Sequence, residues 1–130
     1  MANRCKFTEL VDVADGSGAI GYVKGGATVT QATNRSTGVT INALTGAITG
    51  NGTSLAAHWV ATFVVTNNKV AVGDTVVLSL RSGATALTSS FSVGAVADGS
   101  FSIMIANNSA VTADTGTPII NFAVIKAVSA

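Results

Sequence analysis

The stretch Phe91-Ser-Val-Gly-Ala-Val-Ala-Asp-Gly-Ser-Phe-Ser-Ile-Met-Ile-Ala106 carries the decisive pattern. Two runs of alternating apolar and small polar residues, Phe91–Ala97 and Ser100–Ala106, flank Asp98-Gly99. Alternation with period two puts one set of side chains on each face of a strand. Asp-Gly between two such runs is a strong signal for a two-residue hairpin, and the expected turn is type I′, with φ positive at both positions.

The same grammar extends in both directions. Ala27–Thr33 and Gly38–Asn42 alternate Val or Ile with Thr, and Ala47–Gly50 is a weaker run. His58–Thr66 (HWVATFVVT) puts Trp59, Ala61, Phe63 and Val65 on one face and His58, Val60, Thr62, Val64 and Thr66 on the other. A lone Trp in such a pattern is expected in the core. Thr75–Arg81 predicts Val76, Leu78 and Leu80 inward, with Val77, Ser79 and Arg81 outward. Ile119–Val128 is nearly continuous in apolar residues, as expected of a central strand covered on both faces. Turn-type sequence separates the runs, at Asn34-Arg35-Ser36, Gly50-Asn51-Gly52, Asn67-Asn68, Gly73-Asp74, Ser82-Gly83, Asn107-Asn108 and Asp114 to Pro118. Only Thr53–Trp59 has room for a helical turn. The spacing predicts an all-β chain with a single β-sandwich, jelly-roll-like domain over 27–130.

Residues 1–26 differ in character. Arg4, Lys6, Glu9, Asp12 and Asp15 crowd the first fifteen positions, and a glycine-rich stretch follows. This segment reads as an extended N-terminal arm and link, or Phe7–Val13 reads as a first edge strand; a strand pairing with a neighbouring subunit satisfies both.

The chain of 130 residues is 48% hydrophobic and only 10% charged, with a formal net charge of +1. Such a chain can bury about two-thirds of its unfolded surface. The balance argues against intrinsic disorder, and the absence of a basic excess argues against nucleic acid as a partner. No apolar run approaches the ~20 residues of a spanning helix, and no leader-like segment is evident, so no membrane partner is expected and synthesis in the cytoplasm is. Few surface charges give poor colloidal protection, which favours a surface covered by partners in an assembly over a modestly soluble monomer.

Chemistry-bearing residues are sparse. Cys5 is alone and reads as a spectator thiol. His58 is the only histidine, with no nucleophile–base pattern around it. Asp74, Asp98 and Asp114 sit in turn sequence, where Asp bonds local backbone. Calcium at Asp114–Thr117 lacks the dense acidic pattern such a site needs. No catalytic residue, cofactor or metal is expected, and the chain reads as a non-enzyme.

The segment Val29–Thr49, reading VTQATNRSTGVTIN and then TGAIT, is similar to a segment of small virion proteins of tailed bacteriophages. The apolar strand ending in Thr66-Asn67 before Gly73-Asp74, and the closing Pro118-Ile-Ile-Asn-Phe-Ala-Val-Ile-Lys126, extend the resemblance over about residues 27–128. It implies a capsid decoration (cement) protein or a head-fibre-type module. With no long shaft, the chain fits decoration of the outer surface of the phage head better. The partners so implied are the major capsid protein and the chain itself, as a homotrimer first and a homodimer second. Arg4, Lys6, Phe7, Leu10 and Val11 of the arm are the expected capsid contacts, and Val70 and Val72 a candidate subunit interface. The alternative is a fibre-tip or virion adhesin module that binds host-surface glycan through Tyr22 and Trp59.

Overall fold

The computed structural model describes residues 21–22 and 26–127. It contains eight strands: β1 (Gly26–Thr30), β2 (Val39–Thr40), β3 (Thr45–Thr49), β4 (Val60–Thr66), β5 (Thr75–Ser82), β6 (Ser89–Ala97), β7 (Ser100–Asn107) and β8 (Ile119–Ile125). They form two four-stranded sheets, ordered β1-β3-β8-β5 and β2-β4-β7-β6, and no helix occurs among the described residues. The fold is all-β and sandwich-like. The arm residues Arg4, Lys6, Phe7, Leu10 and Val11 lie outside the described residues.

Alternation places the core. In β4, Ala61, Phe63 and Val65 are buried while Val60, Thr62, Val64 and Thr66 are exposed. In β7, Phe101, Ile103 and Ile105 are buried between outward Ser102 and Met104. From the opposite sheet Ile48, Ile120, Phe122 and Val124 face them, all at most 2% exposed. Each such side chain stabilises the fold by roughly 1.5–3 kcal/mol on burial. Phe101 and Phe122 bridge the two sheets with ring centroids 5.6 Å apart and planes tilted 52°, a favourable aromatic geometry.

Six of the seven connections cross from one sheet to the other; only the β6–β7 hairpin stays within a sheet. Because β1 to β4 alternate between sheets in order, β1 pairs β3 in parallel and β2 pairs β4 in parallel, as in a turn of a β-solenoid. The remaining four pairings are antiparallel. A jelly roll pairs its strands antiparallel, so the two parallel pairs depart from that plan.

Four local expectations are corrected. β8 is central, between β3 and β5, but it alternates, with Asn121 and Ile125 exposed; its outer face is uncovered. β5 splays away from the core after Val76, so Leu78 is half-buried and Leu80 is exposed. Thr53–Trp59 is an irregular segment and not a helical turn. At Asp98-Gly99 only Gly99 has positive φ, 79°, so the turn is not type I′. Asp98 has another role: its Oδ1 accepts the Val72 N–H at 2.9 Å, tying the hairpin tip to the β4–β5 loop.

Candidate functional site

The loops collect at the two ends of the sandwich. At one end, the 67–74 loop meets the chain leaving β8. Asp74 Oδ2 accepts the Ala71 N–H, at 2.9 Å, and the Lys126 ammonium, and Oδ1 accepts the Ala127 N–H at 3.0 Å. The Lys126 hydrogen bond, followed by those backbone donors, holds the Asp74 carboxyl down from 3.8 to about 2. Val70 is buried in the core here, so of the two candidate interface valines only Val72, 65% exposed, faces outward.

At the opposite end four buried polar side chains staple the loops. Gln31 Nε2 donates to the carbonyls of Arg35 and Thr37, and its Oε1 accepts the Asn51 N–H. Asn107 Nδ2 donates to the carbonyls of Leu55 and Thr112. Arg35 donates from Nε to the Thr53 carbonyl and from Nη2 to the carbonyls of Asp114 and Gly116. Its Nη2 also lies 3.6 Å from Asp114 Oδ1, a pair whose side chains are 4% and 0% exposed. Nη1 of Arg35 has no hydrogen-bond partner among the described residues.

Asp114 accepts the N–H groups of Thr85 and Gly116 at Oδ1 and the Ser89 hydroxyl at Oδ2. Burial pushes its carboxyl up, but those hydrogen bonds outweigh burial and leave it below the usual carboxylate range. Its oxygens therefore hold the loops together. Asp74, Asp98 and Asp114 all serve backbone N–H groups. Among the described residues no three His, Cys, Asp or Glu side chains converge.

Two surfaces stand out against this framework. The first is the outer face of the β2-β4-β7-β6 sheet. Register aligns Val60, Ala106 and Ser90 in one row across β4, β7 and β6, then Thr62, Met104 and Ser92, then Val64, Ser102 and Ala95, then Thr66, Ser100 and Ala97. No row contains a charge. A bulge at Gly94 shifts the β6 register between Val93 and Ala95. Beside it, Val64, Ala95, Ala97 and Ser102 line a shallow depression of about 180 Å³.

The second is a cleft of about 300 Å³ at the Asp114 end, lined by Asn34, Arg35, Ser36, Thr53, Ser54, Leu55 and Trp59 along with Val60 and Ala61. Trp59 is 67% exposed, contrary to the core position its alternation implied. The cause is local: His58 adopts φ 64°, a left-handed conformation, which breaks the strand's alternation just before Trp59. The sequence signal is weak: histidine is among the non-glycine residues enriched at positive φ, but neither Gly nor Asn stands at the position. Tyr22 is half-buried, and its hydroxyl donates to the Val124 carbonyl near the Asp74 end. Tyr22 and Trp59 therefore lie at opposite ends of the sandwich and form no common site.

No family model matches this chain, and no curated protein or solved structure matches it significantly.

Proposed function

We propose that the chain is a structural protein of a tailed-phage virion, a decoration protein that binds the outside of the head and links neighbouring major capsid subunits. The observation that carries this reading is the uncharged outer face of the β2-β4-β7-β6 sheet with its depression beside Gly94. Such a face can be buried against a partner without desolvating any ion. The sequence resemblance over residues 27–128 supplies the kind of partner. The N-terminal arm, through Phe7, Leu10 and Val11, adds to a sheet edge of the capsid or of a neighbouring copy, with Arg4 and Lys6 orienting it. Val72 belongs to the contact between copies in a trimer, or next in a dimer. Binding the assembled shell but not its free subunits stabilises the shell by mass action.

The test is a capsid-binding assay with Val64→Asp and Met104→Glu. Both positions are outward, so fold and stability persist while capsid binding is lost. Binding at unchanged affinity by both folded variants refutes the assignment of this face. Copy number in purified virions then separates lattice decoration, a fixed ratio to the major capsid protein, from a vertex or fibre component present in a few copies.

A second reading, a fibre-tip adhesin, is favoured by one observation, the exposure of Trp59 beside a cleft of mixed polar and apolar lining.

A further inference from the structure

We infer that the Trp59 cleft is a binding site for a neutral saccharide, whether the chain covers a head or ends a fibre. The inference concerns a different surface from the sheet face proposed for capsid contact.

Three observations lead there. First, two unfavourable choices coincide at one place. A non-glycine residue with φ 64° precedes a Trp left 67% exposed. The left-handed conformation costs roughly 1–2 kcal/mol at a residue with a Cβ, and an exposed indole forgoes its burial. Backbone strain of this kind collects at functional sites.

Second, the cleft is preorganised. Arg35 holds the Thr53 carbonyl, Gln31 ties the Asn51 N–H to the 31–37 loop, and Asn51 Nδ2 donates to the Ala32 carbonyl at 3.0 Å. Asn34 Oδ1 accepts the Ser36 N–H and the Thr37 hydroxyl. Binding would therefore order little that is not already ordered.

Third, the polar groups left over are of one type. The Asn34 amide nitrogen and the hydroxyls of Ser36 and Ser54 are on exposed residues and make no hydrogen bond within the described residues. Among the described residues the one charged side chain lining the cleft is Arg35; it is buried, with Nη2 3.6 Å from Asp114 Oδ1, and its unpartnered Nη1 is buried as well. An apolar ring face beside uncharged donors and acceptors matches a pyranose, which has one C–H face and a belt of hydroxyls. An acidic sugar or a phosphate would find no exposed cation among the described residues that line the cleft.

The experiment uses the fact that Trp59 is the only tryptophan. The full chain is titrated with neutral oligosaccharides built from glucose, galactose, mannose and N-acetylglucosamine, following tryptophan emission. The expected result is a saturable change with at least one of them. Calorimetry on the variants then shows affinity reduced about tenfold or more in Trp59→Ala, partly retained in Trp59→Phe, and reduced in Ser36→Ala/Ser54→Ala. Circular dichroism checks that each variant is folded. No emission change with any of these sugars overturns the inference, as does binding unaffected by Trp59→Ala. If capsids alone change the emission and Trp59→Ala abolishes capsid binding, the cleft is a protein contact: the saccharide inference falls while the decoration reading stands. Saccharide binding with no capsid binding does the opposite: the saccharide site stands and the decoration reading falls.

Discussion

Asp114 shows what a single side chain does in this protein. One carboxylate takes two backbone N–H groups and a hydroxyl, and faces a buried guanidinium, so three loops depend on it. Removing one member of a buried pair leaves the other charge uncompensated, at a cost of about 3–5 kcal/mol. Asp114→Ala is expected to lose that much in urea unfolding, whereas Ser89→Ala, which removes one hydrogen bond, loses about 1 kcal/mol. Asp74 makes a second, pH-dependent claim. Its folded pKa of about 2 lies below its ordinary 3.8. Its stabilising contribution is therefore complete above 3.8 and is lost as pH falls towards about 2; Asp114, also depressed, acts in the same direction. Urea midpoints measured across that window should fall for the native chain and fall less for Asp74→Asn. That the three aspartates serve turns was legible from their neighbours in sequence. The pairing of Asp114 with Arg35, 79 residues away, was not, because no local pattern encodes a contact at that distance.

At the scale of elements, alternation was the reliable signal wherever one face met the core and the other met water. β4 and β7 follow it residue by residue, and the difference between their faces is measurable. Phe63→Ala, at 2% exposure, is expected to cost about 3–5 kcal/mol, while Val64→Thr on the outer face of the same strand should stay within about 0.5 kcal/mol. Two glycines with positive φ give a matching contrast. At Gly99, φ 79°, an added Cβ meets nothing within 4 Å, so Gly99→Ala costs only the left-handed strain of about 1–2 kcal/mol. At Gly83, φ 90°, that Cβ would lie 2.0 Å from the Thr117 carbonyl oxygen, so Gly83→Ala adds a backbone clash of about 1–3 kcal/mol to the strain. Differential unfolding of the two variants checks the order. Alternation failed where the core ended. β5 peels away at Leu80, and Trp59 is turned out by His58, so the candidate cleft was invisible to a pattern that assumed an unbroken strand.

For the molecule as a whole, the sequence indicated strands and their approximate limits, but pairing order depends on which sheet each connection leads to. Six crossings between sheets place most contacts between residues distant in sequence, a topology that folds slowly for its size. The same topology bears on the arm. Among the described residues, every member of the hydrophobic core cluster lies between Val39 and Val124, and the partly buried residues packed on it begin at Ala27. A chain beginning at Ile20 retains all of them, together with Tyr22 and its hydrogen bond to the Val124 carbonyl. Such a truncation is therefore expected to unfold in one cooperative transition at a urea midpoint close to that of the full chain. If the arm supplies the capsid contact, the same protein binds capsids far more weakly while its sheet face is intact. Loss of binding without loss of stability would divide the labour between arm and sandwich. Full binding by the truncated chain would leave the sheet face as the attachment surface, and a lowered midpoint would show that residues 1–19 contribute to the fold itself.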